Sequence, residues 1–163
     1  MMNRKWIPVI AIGVGVVLLL AGWIFAPAPT MDSEALAAMS PDAVTGAFYN
    51  WYLDYMDSEV LCHPLLDGAY RSSPYLSTAL IAHFDSLVDQ ACGYGLPADP
   101  FLCTKGLPLH ISVVPLSSTD KAARVLVRGS YPTESEVITT ENLAEVTLVR
   151  EDGRWVISGT TCR

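Results

Sequence analysis

Five polar residues between positions 67 and 83 have side chains that can bind an anion or transfer a proton: Asp67, Tyr70, Arg71, Tyr75 and His83. A guanidinium group offers paired N–H donors that match a carboxylate or a phosphate, and a tyrosine hydroxyl adds another donor. Histidine exchanges a proton near neutral pH, so His83 with Asp67 or Tyr70 is the candidate acid–base group. We expect these five residues to line any binding pocket.

Each candidate also has a structural interpretation. Arg71 can pair with Asp67 and fix the connecting segment, and His83 can be a hydrogen-bonded histidine of the core. Asp85 and Asp89 lie four residues apart on one helix face, where they can bind a cation or simply face water. The chain has no GxSxG, HExxH, CxxC or phosphate-loop motif. The sequence therefore predicts no catalytic residue, metal or cofactor, and it favours a module that binds a small molecule or a protein over a small-substrate isomerase or hydrolase.

An uncharged apolar run, Ile7 to Phe25, follows the basic pair Arg4 and Lys5. At about 1.5 Å per residue, a helix of this length spans roughly 28 Å, close to a bilayer core of about 30 Å. The basic pair places the N-terminus in the cytoplasm. We predict a cytoplasmic tip at residues 1–5, a single-pass anchor at residues 6–25 and a domain outside the cytoplasm.

A cleaved signal peptide, and hence secretion, is the alternative to this anchor. Ala26-Pro27-Ala28 offers the small residues that a signal peptidase recognises. Cleavage there would leave Pro27 or Pro29 as the new N-terminus, which is a poor fit for backbone positioning in a protease. The sequence therefore favours the uncleaved anchor.

The exported part of the chain is acidic. The whole chain carries a formal charge of −7, and Arg4 and Lys5 supply two positive charges, so the remainder carries −9. An acidic domain repels phosphate backbones and anionic headgroups, which argues against nucleic-acid binding. A basic protein partner suits this charge; solubility alone is the other explanation.

The helices are predicted from caps and apolar spacing. Residues 26–39 lack an amphipathic period and are assigned to a linker, so the domain is predicted to span residues 40–163. Ser40 is the predicted N-cap of a first helix, with Pro41 at its first position. The apolar face of that helix recurs at helical spacing and consists of Val44, Phe48, Trp51, Tyr52 and Tyr55.

A second helix start is predicted at Ser73-Pro74. Its apolar face comprises Leu76, Leu80, His83, Phe84, Leu87, Val88 and Ala91. Glycines and prolines at residues 93–108 then predict a long loop.

The period changes to two after this loop. Residues 110–114, 123–130, 143–150 and 154–161 are rich in Val and Ile and predict strands, and Asp152-Gly153 predicts a two-residue hairpin turn. The predicted fold class is α+β, with two or more helices covering one face of a curved antiparallel sheet.

All four cysteines follow the predicted anchor, and an even number in an oxidising compartment indicates disulfide bonds. Three pairings are possible. The favoured set is Cys103–Cys162, which joins the central loop to the last strand, and Cys62–Cys92, which joins the inter-helix connector to the end of the second helix.

Two motifs resemble the bacterial family known as domain of unknown function 3828. They are Asp67-Gly68-Ala69-Tyr70-Arg71-Ser72-Ser73-Pro74-Tyr75-Leu76 and Asp99-Pro100-Phe101-Leu102-Cys103. Phe48-Tyr49-x-Trp51-Tyr52-Leu53 is similar to the family's first helix, and Trp155-x-Ile157 with Cys162 to its last strand. The resemblance implies a cone-shaped fold similar to nuclear-transport-factor-2-like domains, enclosing a pocket, and it brings no activity. One departure is His63, where the family is expected to have asparagine.

Overall fold

The computed structural model describes residues 32–58, 63–91, 99–104, 106–132 and 138–163. The predicted tip, the predicted anchor and the predicted Cys62–Cys92 bridge lie outside these residues. Within the described ranges, no helix combines the length and apolarity that crossing a membrane requires.

The longest helix, α2 (Pro41–Met56), begins as its sequence predicts. The Ser40 side chain accepts a hydrogen bond from the backbone N–H of Ala43 at 3.4 Å, and Pro41 needs no such partner. Phe48 and Tyr52, from the predicted apolar face, are fully buried. The interpretation of this face as core is therefore confirmed for these residues, whereas Trp51 and Tyr55 are half-buried.

A short helix, α1 (Ser33–Ala38), occupies part of the predicted linker. The Asp32 side chain caps it by accepting from the backbone N–H of Glu34 at 3.2 Å, and Leu36 is buried. The structured domain therefore begins before Ser40. A six-residue helix with one buried side chain shows no amphipathic period, which explains why the sequence did not reveal it.

The other long helix, α3 (Thr78–Ala91), begins later than the sequence predicts. Its N-cap is Ser77, whose hydroxyl accepts from the backbone N–H of Leu80 at 3.1 Å. The predicted cap, Ser73, instead follows a short 3₁₀ helix, Ala69–Ser72. Two Ser residues four positions apart both suit an N-cap, and tertiary contacts decided between them.

The four strands form one antiparallel sheet in the order β1-β2-β3-β4. They are β1 (His110–Ser118), β2 (Ala122–Pro132), β3 (Ile138–Glu151) and β4 (Arg154–Cys162). Each predicted strand is present and extends further than its apolar pattern. Irregularities in register interrupt all three strand pairs, and such bulges bend a sheet.

The tight turn between β3 and β4 confirms the predicted hairpin. Asp152 and Gly153 have φ angles of 50° and 80°. Two successive positive φ angles define the turn that suits the twist of paired strands, and Asp-Gly adopts them at little cost.

An extended segment before α3 joins the sheet at β4. The backbone N–H of Ile157 donates to the Tyr75 carbonyl at 2.8 Å, and the N–H of Ser77 donates to the Ile157 carbonyl at 2.9 Å. This pairing holds the start of α3 against β4.

Aromatic side chains fill the layer between the helices and the sheet. Phe101 lies at the centre, with ring centroids 4.7 Å from Phe48, 4.8 Å from Phe84 and 5.2 Å from Tyr52. All four rings are at most 2% exposed. Valine and leucine side chains from the inner face of β2 and β3 pack against them. The α+β prediction, with helices on one face of an antiparallel sheet, is confirmed.

Candidate functional site

Two of the predicted site residues, Tyr70 and Arg71, meet Asp85 at the surface. Both lie on the 3₁₀ helix, and Asp85 projects from α3. The Tyr70 hydroxyl and the Arg71 Nε both donate to Oδ1 of Asp85, the second at 2.7 Å. The predicted pair of Arg71 with Asp67 is therefore replaced by a pair with Asp85, which ties the 3₁₀ helix to α3.

This contact shifts the proton affinities of the three groups. Hydrogen bonds from Tyr70 and then Arg71 lower the pKa of Asp85. Burial, followed by the hydrogen bond to Asp85, raises the pKa of Tyr70 to about 12. A phenol with so high a pKa stays protonated near neutral pH, so Tyr70 is a poor general base.

We expect the Asp85→Asn substitution to lower the pKa of Tyr70, because it removes the carboxylate that stabilises the protonated phenol. Arg71→Met is expected to raise it, because the guanidinium charge favours the phenolate. Carbon-13 NMR of labelled tyrosine rings through the alkaline range measures both. The same pKa of Tyr70 in the two variants would contradict the assigned contacts.

The remaining predicted site residues lie elsewhere. His83 is exposed on α3, with its ring centroid 5.8 Å from that of Phe84, so the core interpretation of this histidine is wrong. The Asp67 side chain accepts from the backbone N–H of His63 at 3.0 Å and from the Tyr55 hydroxyl at 3.2 Å. Tyr75 is 3% exposed and belongs to the core. Of the five predicted residues, only Tyr70 and Arg71 share a contact, and the other three make separate contacts.

A heavily bonded carboxylate, Asp99, was not among the predicted site residues. Its Oδ1 accepts from the backbone N–H groups of Phe101 and Leu102, both at 2.8 Å. Its Oδ2 accepts from the Tyr52 hydroxyl at 2.7 Å and lies 3.3 Å from Nε2 of His63. The side chain is only 8% exposed. The Asp-Pro pair that opens this segment signals a turn, but nothing local indicates the contacts with Tyr52 and His63.

Burial alone would raise the pKa of Asp99. Hydrogen bonds from His63, the backbone N–H of Leu102, Tyr52 and the N–H of Phe101 outweigh it and lower the pKa. Burial and the nearby Asp99 charge raise the pKa of Tyr52. Asp99 is therefore a buried, ionised group that holds the turn against α2.

His63 beside Asp99 looks like a catalytic dyad, but its hydrogen bonds show another role. Nδ1 accepts from the backbone N–H of Leu65 at 3.2 Å, so it carries no proton. Nε2 then carries the proton and faces Oδ2 of Asp99 at 3.3 Å. A general base needs a nitrogen free to face substrate. Both nitrogens of His63 are engaged, so this pair positions the connector.

A second buried carboxylate lies on the sheet. Glu145 on β3 has a side chain only 8% exposed and pairs with Arg124 on β2 and with Arg163. The hydrogen bond from Arg163 lowers its pKa against the effect of burial, and Arg124 adds to the lowering. This pairing holds Arg163, which follows β4, on the sheet. Within the described ranges, no group of three or more His, Cys, Asp or Glu side chains is arranged to hold a metal ion.

An open groove of about 550 Å³ runs between the C-terminal half of α2 and residues 107–111. Asp54 and Asp57 line it from the helix, and Leu107 and Leu109 line it from the segment that enters β1. All four side chains are exposed. The groove combines negative charge with apolar surface, a combination that suits a basic, partly apolar partner.

The Cys103–Cys162 disulfide predicted from the sequence is present, with Cα atoms 5.4 Å apart. It joins the turn that Asp99 organises to the end of β4. A hydrogen bond of 2.9 Å from the Thr160 hydroxyl to the Pro100 carbonyl lies beside it. The turn is thus fastened to the sheet by a covalent bond and a hydrogen bond.

Comparison with known proteins gives one informative result. No protein-family model and no curated protein matches the chain, so the resemblance to domain of unknown function 3828 stays a prediction. Among solved structures, the chain is similar to a chain in the crystal structure of the type VI native effector–immunity complex Tae3–Tai3 from Ralstonia pickettii. The two share 27% sequence identity with a TM-score of 0.51, and the match covers 76% of this chain and 94% of the other.

Proposed function

We propose that this protein is a membrane-tethered, extracytoplasmic protein-binding module that acts as the immunity partner of an effector. The observation that carries the proposal is the 27% identity to a chain of an effector–immunity complex, over 94% of that chain. The match extends over nearly the whole of that chain. The basic partner inferred from charge is then the effector.

The hydrogen bonding of the polar groups favours the immunity role over an enzymatic one. An immunity protein needs a surface complementary to its effector, whereas an enzyme needs polar groups free to meet substrate. Both nitrogens of His63 are engaged, and Asp99 accepts three hydrogen bonds besides its contact with His63. Burial and the hydrogen bond to Asp85 raise the pKa of Tyr70 to about 12. His83 is exposed on α3, and the Asp67 side chain is bonded to His63 and Tyr55, so we favour the immunity role over an enzyme that uses His83.

The predicted compartment fits the same proposal. The apolar run Ile7 to Phe25 behind Arg4 and Lys5 directs the domain across the membrane. The Cys103–Cys162 disulfide is of the kind that persists in an oxidising compartment. A tethered domain outside the cytoplasm would meet an incoming effector before it reaches its target. We also propose that the domain belongs to the family known as domain of unknown function 3828 and has its cone-shaped fold.

The proposal predicts a growth defect that depends on neighbouring cells. A strain lacking this chain is expected to be outcompeted by its parent on a solid surface, where parental cells deliver the effector, and to grow normally alone. The full chain supplied in trans should restore competition. A version without residues 1–30, which stays in the cytoplasm, should not restore it. Colony counts of the two strains after co-culture measure the effect, and equal recovery of the deletion strain and its parent would refute the immunity role.

A further inference from the structure

The groove between α2 and the segment entering β1 presents two leucines to solvent. Leu107 is 44% exposed and Leu109 is 67% exposed. A single exposed leucine is ordinary on a protein surface, but two beside one concave groove offer an apolar contact that a partner can cover. We call Asp54, Asp57, Leu107 and Leu109 the groove face.

The leucine side of the groove face is held in place by its neighbours. The backbone N–H of Leu109 donates to the Ser130 carbonyl of β2 at 2.8 Å, and Pro108 between the two leucines is buried. The segment is therefore ordered before any partner arrives. Preorganisation of this kind reduces the entropy lost on binding.

The helix side of the groove face carries unfavourable charge. Asp54 lies in the last turn of α2 and Asp57 is its C-cap, and the last turn holds no basic residue. A helix C-terminus already carries partial negative charge, so carboxylates there lower stability. Within the described part of the chain neither carboxylate forms an ion pair. A basic side chain from a partner would relieve this repulsion.

We infer that the groove face binds a protruding segment of the effector in which a lysine or arginine is flanked by apolar side chains. The basic group pairs with Asp54 and Asp57, while its apolar neighbours cover Leu107 and Leu109. The inference rests on the proposed function for the identity of the partner. Its evidence, the charge and exposure of the groove, is independent of that function.

Photo-crosslinking in living cells tests the inference. Leu109 of the full chain is replaced by p-benzoylphenylalanine, and cells in co-culture with the parent are irradiated. Ile138 on β3, 63% exposed, is the matched control position. We expect one protein adduct from position 109 and none from position 138, with a lysine or arginine in the crosslinked peptide of the partner. Asp54→Asn with Asp57→Asn should reduce the adduct about tenfold.

A control pair separates this local effect from loss of overall charge. Glu34→Gln with Glu141→Gln removes two exposed carboxylates outside the groove and should leave the adduct unchanged. Thermal unfolding of all variants checks that the fold is retained. If position 109 gives no adduct in cells that the chain protects, or if the Asp54 and Asp57 changes have no effect, the groove inference is overturned and the immunity role stands. If an adduct that depends on Asp54 and Asp57 forms in cells that gain no protection, the groove inference stands and the immunity role is overturned. If there is neither adduct nor protection, both are overturned.

Discussion

Replacing Asp99 with alanine is expected to lower the free energy of unfolding by about 4 kcal/mol, because several buried donors lose their acceptor at once. The backbone N–H groups of Phe101 and Leu102 donate to one carboxylate oxygen, and the Tyr52 hydroxyl donates to the other, which also lies 3.3 Å from Nε2 of His63. Tyr52 is fully buried and Phe101 lies at the centre of the aromatic core, so water cannot easily replace the lost partner. Urea unfolding at pH 7 measures the change.

Acid pH gives the Asp99 prediction a second readout. The pKa of this carboxyl is lowered in the folded state. The pKa of an aspartate in the unfolded chain is about 4, and a lower pKa in the folded protein stabilises the fold at any pH above that value. This stabilisation is lost as the pH falls through the pKa of Asp99 in the folded protein. The difference in the free energy of unfolding between wild type and Asp99→Ala should therefore become smaller as the pH falls from 7 toward about 2.

Two substitutions provide controls for Asp99→Ala. Asp89→Ala removes an exposed carboxylate from α3 and should change stability by no more than about 0.5 kcal/mol. Tyr52→Phe removes one of the donors and should cost about 1 kcal/mol. A loss of less than about 1 kcal/mol in Asp99→Ala would contradict the central role of this carboxylate.

The features that the sequence predicted well are those set by neighbouring residues. Ser40 and Pro41 define a helix start within four positions, and Asp152-Gly153 defines a hairpin turn in two. The strands follow from alternation of apolar residues, which a one-sided sheet imposes along each strand. Local chemistry decides these features, so a single sequence contains the information.

The features that it predicted poorly depend on distant residues. Tyr52 and Asp99 are separated by 47 positions, and no local pattern links them. The helix α3 is capped by Ser77 and not by the predicted Ser73, because the residues before it pair with Ile157 of β4. Tertiary contacts override local propensity at such positions.

The surroundings of His83 and Arg71 also depend on tertiary contacts. His83 lies at the edge of the apolar face of α3, and a small rotation of the helix decides whether such a residue is core or surface. Arg71 had acidic candidates on either side in sequence and pairs with Asp85. The groove face could not be foreseen, since it joins α2 to residues more than fifty positions later.

Removing the Cys103–Cys162 disulfide is expected to lower the free energy of unfolding by roughly 4 kcal/mol, comparable to the loss of Asp99. The two cysteines are 59 residues apart, and a bridge across so long a segment strongly limits the unfolded chain. The bridge also fastens the Asp99 turn to β4. Urea unfolding of Cys103→Ala with Cys162→Ala measures the effect, and a reducing agent added to the wild type should reproduce it.

The conformation of Cys103 provides the control for this disulfide prediction. Its φ of 56° lies in the left-handed region, where a side chain costs about 1 kcal/mol. The bridge holds this residue in place, and glycine adopts the same φ without that cost. Cys103→Gly with Cys162→Ala should therefore lose up to about 1 kcal/mol less than the alanine pair. If both pairs unfold at the wild-type urea concentration, the bridge contributes no stability, and the turn around Asp99 is held by its hydrogen bonds alone.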